Sequence, residues 1–209
     1  MIYQVRRIAA GAWRQLRAIR LEALQDSPTA FSTRLAEATA YSDTVWQQEA
    51  AREANSASSA TFVATGDAGD WVGMAAVAPL AEVPDHAHVY AVYVTPPHRG
   101  PAGPAAALMA AAICFARDHT DAAWLTLGVH EDNPRARAFY HKLGFAETGK
   151  AIPYALNPSQ TVHIMGYQDF RSARNDRVPS PAAVPAPTAD PDGRTRTSRQ
   201  QWDSNDTVP

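Results

Sequence analysis

The sequence predicts an α/β fold, in which helices cover both faces of a mixed sheet that is mostly antiparallel with a central parallel pair of strands. Three observations predict this fold. Strand-like and helix-like segments alternate along residues 2–168, and such alternation builds layered α/β folds. The strand–helix–strand order over residues 88–130 requires a crossover between parallel strands. A Gly/Asp cluster joins apolar runs at residues 60–66 and 71–80, which predicts an antiparallel hairpin.

The first half of the chain supplies two helices and three strands. Trp13, Leu16 and Ile19 recur at helical spacing, and Leu24 continues the same face. The cluster at residues 66–70 ends one strand because glycine and aspartate favour turns. The predicted elements are, in order, a strand at 2–8, a helix at 10–25, a break at 27–31, a helix at 35–53, and strands at 60–66 and 71–80.

The second half supplies two more helices and four strands. Asn133 before a proline is a good helix start, and Gly144 is a good helix stop. Leu108, Met109 and Ala112 form one apolar stripe of the helix that follows the Pro/Gly loop. The predicted elements are a strand at 88–96, a loop at 97–104, a helix ending near His119, a strand at 123–130, a helix at 133–144, and antiparallel strands at 145–152 and 161–168.

The composition predicts one folded domain and a tail. The chain has 209 residues, of which 45% are hydrophobic, enough for one domain with a core. We assign residues 1–170 to this domain. Residues 171–209 hold six of the 16 prolines, six arginines and five aspartates. Such a Pro/Arg/Asp-rich segment buries too little apolar area to offset its ordering entropy, so we expect a disordered tail.

Several protein classes are disfavoured by charge and residue counts. The single cysteine, Cys114, excludes an internal disulfide framework, and the scattered histidines lack metal-ligand spacing, so we expect no metal. A net charge of −2 does not favour nucleic-acid binding. No apolar run reaches membrane-spanning length, and the Arg-containing N-terminus does not resemble a secretory signal. We therefore expect no membrane partner and a cytoplasmic location.

Two segments carry the functional signal. In residues 94–105 (VTPPHRGPAGPA) a strand ends, a loop of small residues turns, and a helix begins. The first-turn N–H groups of a helix lack intrahelical partners and favour an anion. The second segment, residues 127–145, reads LGVHEDNPRARAFYHKLGF.

Together these segments resemble the GCN5-related N-acetyltransferase (GNAT) superfamily. The first is similar to its acyl-CoA loop, V-x-P-x-x-R-G-x-G-x-G/A. Without a gap Arg99 and Gly100 match and Ala102 and Pro104 stand at the glycine positions, whereas with one inserted residue Gly103 and Ala105 stand there. The second matches V-x-x-x-N-x-x-A-x-x-x-Y-x-x-x-G-F without a gap, from Val129 to Phe145. The resemblance covers residues 2–168 and implies a GNAT-like acyl-CoA N-acyltransferase fold.

The resemblance also implies acetyl-CoA as acyl-donor cosubstrate. Backbone groups of the strand at Val92, Tyr93 and Val94 would pair with the pantetheine arm, and Asn133 would contact the cofactor near its pantetheine end. The pyrophosphate loop would comprise Arg99, Gly100, Pro101, Ala102, Gly103, Pro104 and Ala105. Proline has no N–H, so the amides expected to donate there are those of Gly100, Ala102, Gly103 and Ala105.

Two residues are candidate catalysts. Tyr140 occupies the position of the tyrosine that protonates the leaving thiolate in many GNAT members, and a phenol with an ordinary pKa of about 10 can donate a proton at neutral pH. His88 is the candidate base, since an imidazole of pKa near 6.5 can take a proton from an amine. The alternatives are core packing beside Phe139 for Tyr140, and a half-exposed strand histidine for His88.

The acceptor side is less defined. Strand periodicity predicts that His86, His88, Tyr90, Val92 and Val94 share one face, so His86 and Tyr90 are further candidates for substrate binding. Phe31 and Trp46 lie where the acceptor-side helices of the superfamily sit, and core packing is the alternative for both.

The resulting prediction is an N-acetyltransferase that moves an acetyl group from acetyl-CoA to a primary amine by direct attack. The acceptor is a small molecule or a peptide, and the superfamily resemblance is compatible with a homodimer. Two alternatives stay open: a non-catalytic acyl-CoA-binding or regulatory module, and a transferase of the same fold with a different acyl donor.

Overall fold

The computed structural model describes residues 2–83 and 85–171, and it confirms the mixed α/β class. Seven strands form one sheet in the order β1-β2-β3-β4-β5-β7-β6, and every neighbouring pair is antiparallel except β4 and β5. The strands are β1 (Gln4–Arg7), β2 (Ala60–Thr65), β3 (Trp71–Pro79), β4 (His86–Val94), β5 (Trp124–His130), β6 (Phe145–Tyr154) and β7 (Asn157–Tyr167).

Helices cover both faces of the sheet, as predicted. The helices are α1 (Trp13–Asp26), α2 (Leu35–Ala40), α3 (Asp43–Asn55), α4 (Ala105–His119) and α5 (Pro134–Lys142). Buried residues of α4 and α5 pack in one core, which we call the α4/α5 core, and buried residues of α1, α2 and α3 pack in a second, the α1–α3 core. The sheet therefore separates two compartments.

The single helix predicted over residues 35–53 is wrong. Tyr41 is extended, with ψ of 134°, and separates α2 from α3. Ser42 caps α3, because its side chain accepts a hydrogen bond from the Val45 N–H at 3.4 Å. A serine at this position favours the start of a new helix over continuation of the old one.

The parallel strands β4 and β5 separate along their length. They pair from His86 opposite Trp124 to Val89 opposite Leu127. Both strands continue beyond this point, β4 to Val94 and β5 to His130. A cleft therefore opens between their carboxyl-terminal halves, at the centre of the sheet.

A β-bulge in β4 reverses the direction of its side chains. Tyr90 lies opposite Ala76 of β3 and Tyr93 lies opposite Met74, so two β4 residues, Ala91 and Val92, face one β3 residue. Ala91 has a φ of +52°, a left-handed conformation that is rare for residues other than glycine. Such an extra residue shifts the alternation of the strand by one.

The predicted common face of β4 is therefore wrong for Val92 and Val94. These two side chains belong to the α4/α5 core together with Val89. His88 precedes Val89 and points to the opposite face, because successive side chains alternate along a strand. The bulge thus changes which alternate positions of β4 face the α4/α5 core, from Ala87 and Val89 before it to Val92 and Val94 after it.

The folded body includes the first residue of the predicted tail. The Arg171 side chain donates to the carbonyl oxygens of Thr120 at 2.8 Å and Arg117 at 3.3 Å, so it is fixed to the end of α4. The remainder of the predicted disordered tail, residues 172–209, lies outside the described residues. Among residues 2–83 and 85–171, no helix is long and apolar enough to cross a membrane.

Candidate active site

A groove of about 480 Å³ lies where the loop after β4 meets α5. Its lining includes Arg99, Gly100 and Pro101 from the loop, and Ala105 and Ala106 from the first turn of α4. The first-turn N–H groups of α4 have no intrahelical partners, and residue 104, which precedes them, is a proline without an N–H. The groove therefore presents unpaired amides to a bound group.

Gly103 shapes this loop rather than donating from it. A Cβ at this position would overlap the carbonyl oxygen of His98. The Gly103 N–H donates to the carbonyl of Gly100 at 3.0 Å, which corrects the expectation that this amide is available to a ligand. The amides of Gly100, Ala102 and Ala105 donate to no group within the described residues and fit an anion.

The Arg99 guanidinium is held by protein groups. Its Nε donates to the carbonyl oxygen of Val94 at 2.7 Å, one terminal nitrogen pairs with the Asp26 carboxylate, and the group lies 5.4 Å from the centre of the Tyr93 ring. Partial burial raises the pKa of Asp26, but hydrogen bonds from Ser27 and Arg99 and the charge of Arg99 outweigh it and lower the pKa overall. Arg99 therefore fastens the loop to α1.

Two other basic residues line the groove, and both were missed by the sequence analysis. Arg135 and Lys142 lie on α5, seven residues apart, with Ala138 and Phe139 between them on the same side. This spacing places side chains on one face of a helix, so helical periodicity was the signal that could have found them. They give the groove two positive charges that Arg99, already paired, does not supply.

Asn133 begins α5 as predicted. Its side-chain oxygen accepts a hydrogen bond from the Ala136 N–H at 3.0 Å, which caps the helix. This contact fixes the side chain and leaves its NH₂ group as a donor.

Tyr140 is fully buried in the α4/α5 core. Its ring packs edge-on against Phe145, with ring centres 5.9 Å apart, and at a tilt against Phe139, with ring centres 5.3 Å apart. The hydroxyl has no hydrogen-bond partner among the described residues. Burial raises the pKa of Tyr140 well above its ordinary value. The phenol therefore stays protonated and has a proton to donate.

A second cavity, of about 670 Å³, is lined by His86 and His88 on the other side of the sheet. His88 Nδ1 lies 2.9 Å from the Thr126 hydroxyl oxygen on β5, and that hydroxyl donates to the Ala87 carbonyl at 3.3 Å. Because the hydroxyl proton is used in this way, its oxygen can accept from Nδ1–H of the His88 ring. This arrangement leaves Nε2 as the ring nitrogen that can take up a proton.

Other residues of this cavity come from distant parts of the chain. The ring of His86 stacks on Trp124, with centres 6.3 Å apart. The remaining polar lining residues are Ser32, Glu82, Thr148 and Lys150. Nothing in the local sequence pointed to them, because only the sheet order and strand register bring them together.

The structure does not bring Phe31, Trp46 or Tyr90 to this cavity. Phe31 and Trp46 are fully buried in the α1–α3 core, so their expected place in an acceptor pocket is corrected to core packing. Tyr90 is buried as well, and its pKa is raised mainly by burial and further by the nearby carboxylates of Glu53 and Glu49.

A model of the acetyltransferase (GNAT) family matches residues 16–145, which is more than half of the chain. The chain belongs to the GNAT family. Family membership supports N-acetyltransferase activity in general, and it confirms the superfamily resemblance of the two motifs.

Solved structures show the same GNAT fold. A GNAT acetyltransferase from Streptococcus pneumoniae superposes with a TM-score of 0.64 at 18% identity, covering 79% of this chain and 98% of that one. A spermidine N-acetyltransferase from Vibrio cholerae, solved with CoA and spermine, superposes with a TM-score of 0.61 at 17% identity, covering 78% of this chain and 94% of that one. No curated protein matches this sequence.

In this GNAT chain the structure brings some of the predicted site residues together. The groove is lined by Val94, Arg99, Gly100, Pro101, Gly103 and Ala105, and the cavity on the other face is lined by His86 and His88. Within the part of the chain that the structure describes, no three His, Cys, Asp or Glu side chains are grouped to hold a metal ion. The absence of a metal stays a prediction.

Proposed function

We propose that this GNAT protein transfers an acetyl group from acetyl-CoA to a primary amine by direct attack. One observation carries the proposal. The cleft between β4 and β5 opens after Val89 and Leu127, with the amide-lined groove on the α4/α5 side and the His88 cavity on the other. A donor and an acceptor approaching from opposite faces would meet in this cleft.

The groove fits the diphosphate of CoA. The amides of Gly100, Ala102 and Ala105 are unpaired, and Arg135 and Lys142 add positive charge beside them. Acetyl-CoA, when bound, supplies the acetyl thioester. We expect the side-chain NH₂ of Asn133, at the start of α5, to hold the pantetheine end.

Two side chains handle the protons. An amine acceptor is mostly ammonium at neutral pH, so attack needs a proton acceptor, and His88 Nε2 takes that proton. Thr126 holds the ring in the required tautomer through its contact with Nδ1. Tyr140, protonated because it is buried, gives a proton to the departing sulfur.

Calorimetry with acetyl-CoA and a thiol-release assay with amines test the proposal. The Gly103→Ala variant should bind acetyl-CoA about tenfold or more weakly, because displacing the loop loses amide–anion hydrogen bonds of roughly 1.5–3 kcal/mol each. Gly11→Ala is the matched control, since nothing lies within 4 Å of a Cβ at Gly11. Equal acetyl-CoA affinity of both variants and the parent would refute the assignment of the groove.

One observation favours a binding-only module. Pro101 and Pro104 have no N–H, and the Gly103 N–H is used within the loop, so fewer amides face the ligand than in the family pattern. Acetyl-CoA binding without thiol release for any amine would support this alternative. Faster turnover with propionyl-CoA or a longer acyl-CoA than with acetyl-CoA would support a different acyl donor.

A further inference from the structure

We propose that the acceptor is a primary amine that carries a carboxylate several bonds away from its nitrogen, and that Lys150 binds this carboxylate. The inference rests on the proposed function and names the substrate class of the His88 cavity. It is carried by the charges that line this cavity and by the distance between the strands that supply them.

The charges of the cavity do not suit a polycation. Among the described residues that line it, Glu82 is the single carboxylate, and Lys150 is the single permanently charged cation beside the imidazoles of His86 and His88. A polyamine needs several carboxylates to replace the water around its ammonium groups. An acceptor with one ammonium and one anionic group matches the lining instead.

The backbone of Lys150 is fixed by a hydrogen bond, and its ammonium group has no ion-pair partner among the described residues. Its backbone N–H donates to the Thr148 hydroxyl at 3.2 Å, and that hydroxyl donates to the Ile164 carbonyl on β7 at 2.7 Å. The Lys150 ammonium forms no ion pair with any of residues 2–83 or 85–171. Thr148, Lys150 and Ile152 all line the cavity, as alternate residues on one face of a strand do.

The sheet order sets the length of the acceptor. His88 is on β4 and Lys150 is on β6, with β5 and β7 between them. Three strand spacings separate the two backbones by at least about 14 Å. The flexible four-carbon stem of lysine covers part of this gap. An amine at His88 Nε2 and a carboxylate at Lys150 must therefore be separated by several bonds, which excludes an α-amino acid that uses both contacts.

Part of the wall of this cavity is apolar. Ile152 and Ile164 line it on the β6 and β7 side, and Val83 lines it from the loop before β4. A methylene chain fits such a wall. Glu82, from the same loop as Val83, repels a carboxylate near that loop and so favours its placement at β6.

Two matched substrate series test the inference with the full chain. One series is the ω-amino carboxylates from glycine to 6-aminohexanoate, and the other is the alkylamines of equal carbon number. We expect the kcat/KM advantage of the carboxylate over the alkylamine to rise with length, from none for glycine to about tenfold or more for 6-aminohexanoate. In the Lys150→Met variant the carboxylate should have no kcat/KM advantage over the alkylamine at any length. An advantage that is absent in the parent, or that persists in K150M, overturns the inference.

A control variant and a binding measurement separate this inference from the proposed function. Lys142→Met removes the other lysine of the chain, in the groove of the opposite face, and should leave the ratio between the two series unchanged. Calorimetry of 6-aminohexanoate and hexylamine in the presence of CoA needs no turnover. Lys150-dependent binding without turnover would refute the proposed activity alone. Equal turnover and equal binding of both series would refute the carboxylate proposal alone.

Discussion

The Tyr140→Phe variant should gain stability and lose activity. The Tyr140 hydroxyl is buried and has no hydrogen-bond partner among the described residues. A buried polar group without a partner costs about 1–3 kcal/mol of desolvation. Phenylalanine keeps the ring contacts with Phe139 and Phe145 and removes this cost, so the free energy of unfolding should rise by about 1 kcal/mol. Loss of general-acid assistance should lower kcat by about 100-fold or more.

Tyr154→Phe is the matched control for this variant. The Tyr154 hydroxyl is buried too, but it donates to the Phe31 carbonyl at 2.6 Å and lies 3.2 Å from that of Pro28. Its removal should lower the free energy of unfolding by about 1 kcal/mol, since a made hydrogen bond is lost. Urea unfolding and kcat at saturating acetyl-CoA measure both effects. An unchanged kcat in Y140F would refute the role of Tyr140 as an acid. A loss of stability in Y140F equal to that in Y154F would refute the statement that the Tyr140 hydroxyl has no hydrogen-bond partner.

Two further variants test the supports of the site. Asp26→Asn should raise the KM for acetyl-CoA several-fold with little change in kcat, because Arg99 loses the carboxylate that fixes the loop. Since folding lowers the pKa of Asp26, its stabilisation is present above the ordinary pKa of 3.8 and is lost as pH falls through the folded value. Urea unfolding from pH 5 downward should therefore show that the free energy of unfolding falls less in D26N than in the parent. Thr126→Val should lower kcat/KM and change its pH profile, because the His88 ring is no longer held. Thr126→Ser keeps the hydroxyl and should restore the parent's kcat/KM and its pH profile. Identical pH profiles for the two variants would contradict the positioning role of Thr126.

The sequence was sufficient for features that depend on neighbouring residues. The Asn133-Pro start of α5 and the loop before α4 are encoded by capping and turn residues, and both appear where predicted. The break between α2 and α3 also had a local signal in Ser42. The stripe of Arg135 and Lys142 on α5 was readable from helical spacing, because seven residues make about two turns.

Features that depend on strand register could not be predicted from the sequence. Nothing about an alanine marks the bulge at Ala91, because that conformation is imposed by pairing with β3 rather than favoured by the residue. The place of Lys150 depends on a register shift between Glu147 and Ala151 in the pairing of β6 with β7. A shift of one residue there would turn the Lys150 side chain away from the cavity.

The bulge explains how one strand serves both compartments in the proposed mechanism. Without it, uninterrupted alternation would turn Val92 and Val94 to the face of His88. With it, His88 faces the acceptor cavity while Val92 and Val94 pack in the same core as Tyr140. In the proposed mechanism the base, His88, and the acid, Tyr140, then lie on opposite faces of the sheet, so that separate groups take the proton from the amine and give a proton to the sulfur. The irregular pairing at Ala91 therefore turns the second half of β4 so that Val92 and Val94 complete the core around Tyr140 instead of entering the His88 cavity.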